Sequence, residues 1–464
     1  MIQTLETVDY SEFGHERWFK HHGYINKLNM QAVDSAQNNS DEFVKEYLIS
    51  HGKLPLLVYD LIMVELWKQR VFSTILEDQF EPTGTFSIYT VLYHELVLAN
   101  ILETVTFHMD AAEALGDSAV DLADWCYRAL CYLVAEFPTE ERKTEYLSLK
   151  DKFAFESNLE DLERQQRVIA FDKGMKAISL VRHLIDHSLS SHNTLPLGVG
   201  RRLLQTNDIT LVLCQLIEQA PWSATAMDKE TGRFKRFLWQ ESGTWIAEDK
   251  ADKPVGKAEA QVWLSLYQIV LTNNSTLRYD CTVSHRRAAL LRLRPHLTED
   301  RLDILPVLVD LRRFLEQLSL SEASGGCGSS AAANVSDVCL VELVPEIRES
   351  LCRKYVKKWK QMSTAFRDFT ESDRGKQAAQ RAAAEWTDTF SEGNLERLFA
   401  AMGDNELGRT PRCVVCGNPA TKRCSRCRHE WYCRRECQVK HWPKHKSACD
   451  LMSETIKSEN EQKL

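Results

Sequence analysis

"LPLLVYDLIMVELWKQRVF", residues 54–72, decides the fold class. Leu57, Leu61, Val64 and Trp67 recur at the step of one helix face, and further apolar residues widen the stripe for burial on two sides. Asp60, Glu65, Lys68 and Arg70 interrupt the run, which makes a membrane span costly and a buried helix of a soluble protein the expectation. The same periodicity returns at 89–108, 120–137, 174–189, 208–222, 260–272 and 302–320. Asn207 or Asp208 is the expected N-cap of the 208–222 helix, and Pro221 its stop. Pro306 is placed in the first turn of its helix or at a kink.

Many apolar helices of similar length with short polar links suggest stacked helical pairs of the armadillo or HEAT sort over residues 1–321. No strict repeat period accompanies them, and a compact helical bundle is the competing architecture. Two stretches read as loops, 139–165 and 223–258. Within the second, "RFKRFLWQESGTWIAED" (233–249) sets aromatic and β-branched residues on either side of Ser242-Gly243, a small β insertion with a hairpin turn. Residues 322–336 are a Gly/Ser/Ala linker, in which Cys327 is a spare thiol. A helical segment, 337–403, follows, with helices expected at 341–366, 375–387 and near 394–402.

The chain has 464 residues, 44% hydrophobic and 27% charged, as a soluble globular protein does. Its net charge of -8 argues against nucleic-acid binding overall. Between Arg412 and Cys449, however, ten Lys/Arg face two Asp/Glu, leaving 48 and 64 of the chain's 58 and 66 for the rest. A basic module is joined to an acidic body. The start, "MIQTLETVDYSEFGHERW", has no basic stretch followed by an apolar run, so an intracellular, cytoplasmic chain without a signal peptide or membrane span is expected. A reducing compartment turns clustered cysteines toward metal rather than disulfides.

Half of the 14 cysteines fall within residues 413–449. Cys413-x2-Cys416, Cys424-x2-Cys427, Cys433-x3-Cys437 and His445-x3-Cys449 are four pairs of soft or borderline donors. Eight such donors fill two tetrahedral Zn²⁺ sites, and four protein ligands per ion leave no position for a reacting water. The zinc is therefore read as structural. A C-x2-C knuckle aims two sulfurs at one ion, and pairs at i,i+4 share one face of a helical turn. Pro443 is expected to divide two short helices, each bearing one pair. Spacing alone permits sequential pairing (413/416 with 424/427, 433/437 with 445/449) or interleaved pairing. His441 rivals His445, but only His445 keeps three residues before Cys449. A RING centre (C-x-H-x2-C) and C₂H₂ spacing are both absent, and a redox CxxC would leave six donors idle.

The full ligand order, with Tyr432 before the fifth ligand and "CQVKHWPKH" from the sixth, resembles the MYND-type zinc finger family. That resemblance implies interleaving, with Cys413, Cys416, Cys433 and Cys437 on zinc one and Cys424, Cys427, His445 and Cys449 on zinc two. It further implies a docking platform for short proline-rich peptides, lined by Gln438 and Trp442, with the basic rim engaging acidic flanks. The bland alternative for Trp442 is that it covers zinc two.

The body carries no G-x-G-x-x-G, P-loop, G-x-S-x-G, H-E-x-x-H or "NHSC"-like methyltransferase motif. His94, His183 and His187 read as satisfied polar groups on helices, and no enzyme is expected. "HGKLPLLVYDLIMVELWKQRVF" (51–72), "NILETVTFH" (100–108), "VPEIRESL" (344–351) and the tail at 422–442 resemble, in order, segments of a MYND-bearing family of axonemal dynein arm assembly factors. This resemblance implies a non-enzymatic cytoplasmic adaptor or co-chaperone for preassembly of inner and outer dynein arms, required for motile cilia. The implied partners are dynein chains as clients, heat-shock chaperones with a prolyl-isomerase co-chaperone, and a leucine-rich-repeat assembly factor. Centriolar satellites or the ciliary base are the implied places besides the cytoplasm. The alternative is a MYND-containing transcriptional co-repressor adaptor, which calls for a free basic run. Here the basic residues are interleaved with the ligands instead.

Overall fold

The computed structural model describes residues 1–320, 343–389 and 413–449, apart from 39, 151–156, 191–193, 229–231, 242, 249–254 and 273–276 in the body and 417, 419, 421, 427–429, 444, 447 and 448 in the tail. Linker residues 322–336, Cys327, the helix expected near 394–402 and the ligand Cys427 lie outside the described residues.

Four helical pairs follow one another along the chain. They are Leu54–Trp67 with Phe86–Thr106, Ser118–Glu136 with Asn158–Leu189, Ile209–Gln219 with Lys257–Leu271, and Ser284–Arg292 with Leu308–Leu320. The first helices of the pairs pack on one another in chain order, and so do the second helices, so two rows result. Glu16–Gln37 heads the second row by packing on Phe86–Thr106. This is the stacked-pair, mainly α architecture of a solenoid. Its core is the apolar stripes themselves: Leu57, Leu61, Val64 and Trp67 are all buried. No single described helix is long and apolar enough to cross a membrane. The bent pair Phe43–Ser50 and Leu54–Glu77 is apolar enough in combination, but its longer member is buried in this core.

The C-terminal helices of the body, Ile347–Tyr355, Trp359–Glu371 and Asp373–Thr389, return to the N-terminal end of the stack. Tyr355 and Trp359 pack edge-on against Tyr10, Phe366 against Trp67, and Trp386 against His22 and Tyr93. Where one helix was expected over 341–366, the chain breaks at 356–358 and makes two.

Other boundaries shift for physical reasons. The helix expected at 174–189 begins at Asn158, where Ser157 Oγ accepts from Glu160 N as an N-cap. Residues 140–150 form a helix rather than a loop. Its sequence is mostly polar, and its one buried aromatic side chain, Tyr146, packs against Phe137 and Phe171, with Lys143 buried beside it on the same helix. Asp208 does precede Ile209–Gln219, but its carboxylate accepts from Tyr279 Oη (2.7 Å) and Arg286 Nε (2.7 Å) instead of capping the helix. Pro306 falls in a break between Glu299–Ile304 and Leu308–Leu320.

The β insertion has three antiparallel strands: β1 (Ser223–Met227), β2 (Phe234–Trp239) and β3 (Trp245–Ala247). β2 and β3 are the expected hairpin, with Trp239 opposite Trp245 and Gly243 at φ +74 in the turn, a conformation suited to glycine. β1 was missed because "SATAM" alternates weakly. It is fixed by β2 and by Glu140 Oε2, which accepts from Thr225 N at 3.2 Å.

Gly174 marks a close approach between the rows. A Cβ there would stand 2.5 Å from Leu133 Cγ, and Leu133 is fully buried. Gly174→Ala gains about 1 kcal/mol of helix propensity but overpacks the core at a cost of about 1–3 kcal/mol. A lower unfolding midpoint is expected. Leu133→Ala added to it should lose less than the two single changes together, and strict additivity would refute the contact.

Candidate metal centre

In the tail, a two-stranded ribbon and a helical stretch gather the donors. β4 (Lys422–Arg423) pairs with β5 (Trp431–Tyr432), and Cys424 N donates to Glu430 O at 2.8 Å. The knuckle is held by Cys413 N donating to Asn418 O (2.7 Å) and Val414 N to Trp431 O (3.1 Å). Cys433 follows β5 directly, and residues 435–443 are helical, Pro443 included, so the proline does not break the helix before it. Cys437, Gln438 and Trp442 ride on that helix.

Four sulfurs come together from two distant segments. Cys416 Sγ lies 3.3 Å from Cys433 Sγ and 3.8 Å from Cys437 Sγ, and Cys433 Sγ lies 3.6 Å from Cys437 Sγ. With Cys413, all four lie within 4.8 Å of one another. A second group, Cys424, His445 and Cys449, meets the same limit, with Cys424 Sγ 3.7 Å from Cys449 Sγ. The seven described donors thus sit together in interleaved order. Sequential pairing would have placed Cys413 and Cys416 with Cys424, and the structure does not.

The donor chemistry fits a divalent soft-to-borderline cation. Burial raises the Cys413 thiol, but backbone N–H groups of Cys433, Val415 and Cys416 overcome it and bring it down to about 6. The thiol of Cys433 goes the other way, up to about 12, chiefly through its contact with Cys416. One thiolate forms readily at Cys413, whereas Cys433, chiefly through Cys416, and Cys437, chiefly through burial, resist, and the Cys413 charge crowding the same space adds to both. A dication resolves this crowding, as thiolate ligands need. Burial also lowers His445, which keeps a lone pair available for a metal.

His441 is not among these donors. Its Nδ1 lies 3.0 Å from Tyr432 Oη, and its ring stacks on His445 at 5.5 Å. Apart from ligands, the finger's buried interior holds only Ala420 and Tyr432 among the described residues. Trp442 packs half-buried on that interior, edge-on to His445 at 6.0 Å, so it does cover one flank of the second cluster. Gln438, one turn earlier, is half-buried, and Val439 beside it is 63% exposed.

The MYND finger family model matches residues 413–449. Across its whole length the chain is 30% identical to the zinc finger MYND domain-containing protein 10 homolog of Drosophila melanogaster, over 97% of this chain and 96% of that one. This chain belongs to the zinc finger MYND domain-containing protein 10 family. The match runs through the helical body, so family membership does not rest on the finger. By contrast, ubiquitin carboxyl-terminal hydrolase 17 of Arabidopsis thaliana is 42% identical over 48 residues, 10% of this chain and 7% of its own. That likeness is of finger length only. No solved structure matches.

Proposed function

We propose that this protein is a non-enzymatic adaptor: the helical stack holds a client, and a finger built on two structural Zn²⁺ ions recruits a second protein. The observation that carries the reading is the four-sulfur cluster of Cys413, Cys416, Cys433 and Cys437. Four protein ligands saturate an ion, which leaves it a scaffold and not a reagent. Cys424, His445 and Cys449, completed by Cys427, hold the second ion. Membership in the family, together with the resemblance of segments 51–72, 100–108, 344–351 and 422–442, supports the finer assignment. In it the protein acts in the cytoplasm, with satellites or the ciliary base as further places, in preassembly of axonemal inner and outer dynein arms. Dynein chains are the clients, and heat-shock chaperones, a prolyl-isomerase co-chaperone and a leucine-rich-repeat factor are the helpers. Two rows of stacked helices offer the long surface a large client needs.

Affinity purification from ciliating cells, with the full chain and with residues 413–449 removed, tests this. Dynein chains and chaperones should accompany the full chain, and at least one helper should be lost with the finger. Chromatin factors in their place would overturn the assignment. Gln438 and Trp442 line the proposed peptide groove, and Trp442→Ala should weaken helper capture by about 2 kcal/mol, roughly 30-fold, with zinc content unchanged. Unaltered capture would remove Trp442 from the docking face.

A further inference from the structure

A second set of metal-type donors lies inside the body, far along the chain from the finger. His21 and His22 stand on Glu16–Gln37, Asp60 on Leu54–Trp67 and His94 on Phe86–Thr106, so three packed helices converge on one point. His21, Asp60 and His94 are only 7, 5 and 1% exposed, and one donor atom from each lies within 4.8 Å of the other two. His21 Nε2 is 2.7 Å from Asp60 Oδ2. All three line one small cavity, with room for about one water, whose other walls are Val8, Phe13, Trp18, Met63 and Val64.

Two features go beyond a satisfied buried ion pair. Asp60 is a carboxylate among apolar walls, and His21 is its one hydrogen-bond partner among the described residues. A buried carboxylate with one imidazole is under-compensated, and a dication supplies the missing charge. His94, in turn, is oriented by a neighbour: its Nδ1 lies 2.8 Å from His22 Nδ1. Ligating histidines are fixed in this way, by a hydrogen bond on the nitrogen that does not face the metal. His22 Nε2 is buried with no hydrogen-bond partner among the described residues, so His94 supplies the ring's hydrogen bond while Trp18 and Trp386 pack against it.

We propose that His21, Asp60 and His94 bind a divalent first-row cation of zinc type, seated in the cavity where one water would fit, with His22 as a positioning residue. Two imidazoles and a carboxylate are a donor set that zinc accepts, with bonds of about 2.0–2.2 Å. Entry of the ion draws the donors inward by small side-chain rotations and displaces to solvent the proton now shared by His21 and Asp60. The cavity admits an ion but no substrate, so the ion's role is to tie the N-terminal helix to the first helical pair.

Full-length protein loaded with Co²⁺ and desalted tests the site. Asp60→Asn should retain one equivalent of cobalt fewer than wild type, while the thiolate-to-cobalt charge-transfer band is unchanged, because these three donors contain no sulfur. Equal cobalt in both proteins would overturn the proposal. So would a cobalt loss matched by loss of the charge-transfer band, which would place the missing ion in the finger. If Asp60→Asn loses helical signal, His21→Gln takes its place under the same outcomes. In wild type with the finger already loaded, added Zn²⁺ should raise the unfolding midpoint of the body, and no rise would equally sink the site.

Discussion

Replacing Cys433 with alanine is expected to unfold residues 413–449 and leave the helical signal of the body unchanged. Cys433 sits among three other sulfurs, 3.3 Å from Cys416 and 3.6 Å from Cys437, so its loss leaves that cluster one donor short of a tetrahedral set. Among the described residues the finger's buried ones are almost all donors, with only Ala420 and Tyr432 added. A module of this size buries too little apolar surface to fold alone, and structural zinc supplies on the order of 10 kcal/mol. The body has its own continuous core, to which no described residue of the finger belongs. Zinc content, limited proteolysis of the tail and far-ultraviolet circular dichroism together read the outcome. A body that melts along with the finger would show that the two cores are coupled. Chelator should reproduce the effect in wild type.

Most of this arrangement was legible from residue spacing, because both signals are local. Stripes such as Leu57, Leu61 and Val64 specify a helix within a few turns, and knuckles such as Cys413-x2-Cys416 specify a ligand pair within four residues. What spacing left open was long-range. The choice between sequential and interleaved clusters depends on the 413–416 knuckle meeting β5, where Val414 N donates to Trp431 O, a contact that no local pattern encodes. The helix at 140–150 carries its packing on Tyr146, too little for a periodic signal. Break points at 356–358 and Pro306 arise where the chain must turn to stay on the stack. His94 read as one polar residue on an apolar helix; its neighbours His21, His22 and Asp60 come from other helices, so its surroundings are a product of the fold.

Glu95 carries the largest expected effect within the body. It is fully buried on Phe86–Thr106, and its carboxylate accepts from Lys68 Nζ, from Lys173 Nζ at 2.9 Å and from Trp125 Nε1 at 3.0 Å. Lys68 lies in the wide turn Lys68–Phe72 after the first helix, Trp125 and Lys173 on the two helices of the second pair. One carboxylate therefore joins the first pair to the second. Beside it, Arg128 Nε and Nη2 donate to Glu65 at 2.7 and 2.6 Å, a two-pronged bond across the same junction. Burial alone would raise Glu95, but Lys173 and Lys68 outweigh it and hold the carboxyl at about 2. Lys68 is brought down to about 8, first by burial, because two ammoniums share a single carboxylate. Removing that carboxylate leaves Lys68 and Trp125 Nε1 without their acceptor in an apolar interior, and breaking a buried pair from one side costs about 3–5 kcal/mol. Against a typical domain stability of about 5–15 kcal/mol, that is a large fraction. Glu95→Ala should accordingly lower the unfolding midpoint far more than Glu299→Ala, which removes only an exposed partner of Arg312.

The sign with pH follows from the same two groups. Because the folded value of Glu95 lies below the ordinary 4.5, its contribution is present above pH 4.5 and is lost as pH falls toward 2, about 3 kcal/mol in all. Lys68 does the opposite: it weakens the fold below pH 8, and this cost lifts as pH rises from 8 toward 10.5. The stability gap between wild type and Glu95→Gln, followed by denaturant unfolding of the body, should therefore narrow between pH 4.5 and 2. A gap that stays constant over that range would mean Glu95 acts through shape and not through charge. Lys68→Met combined with Glu95→Leu should recover much of the loss, since a well-packed apolar pair replaces a buried ionic one at little cost and Lys173, 12% exposed, can turn to water.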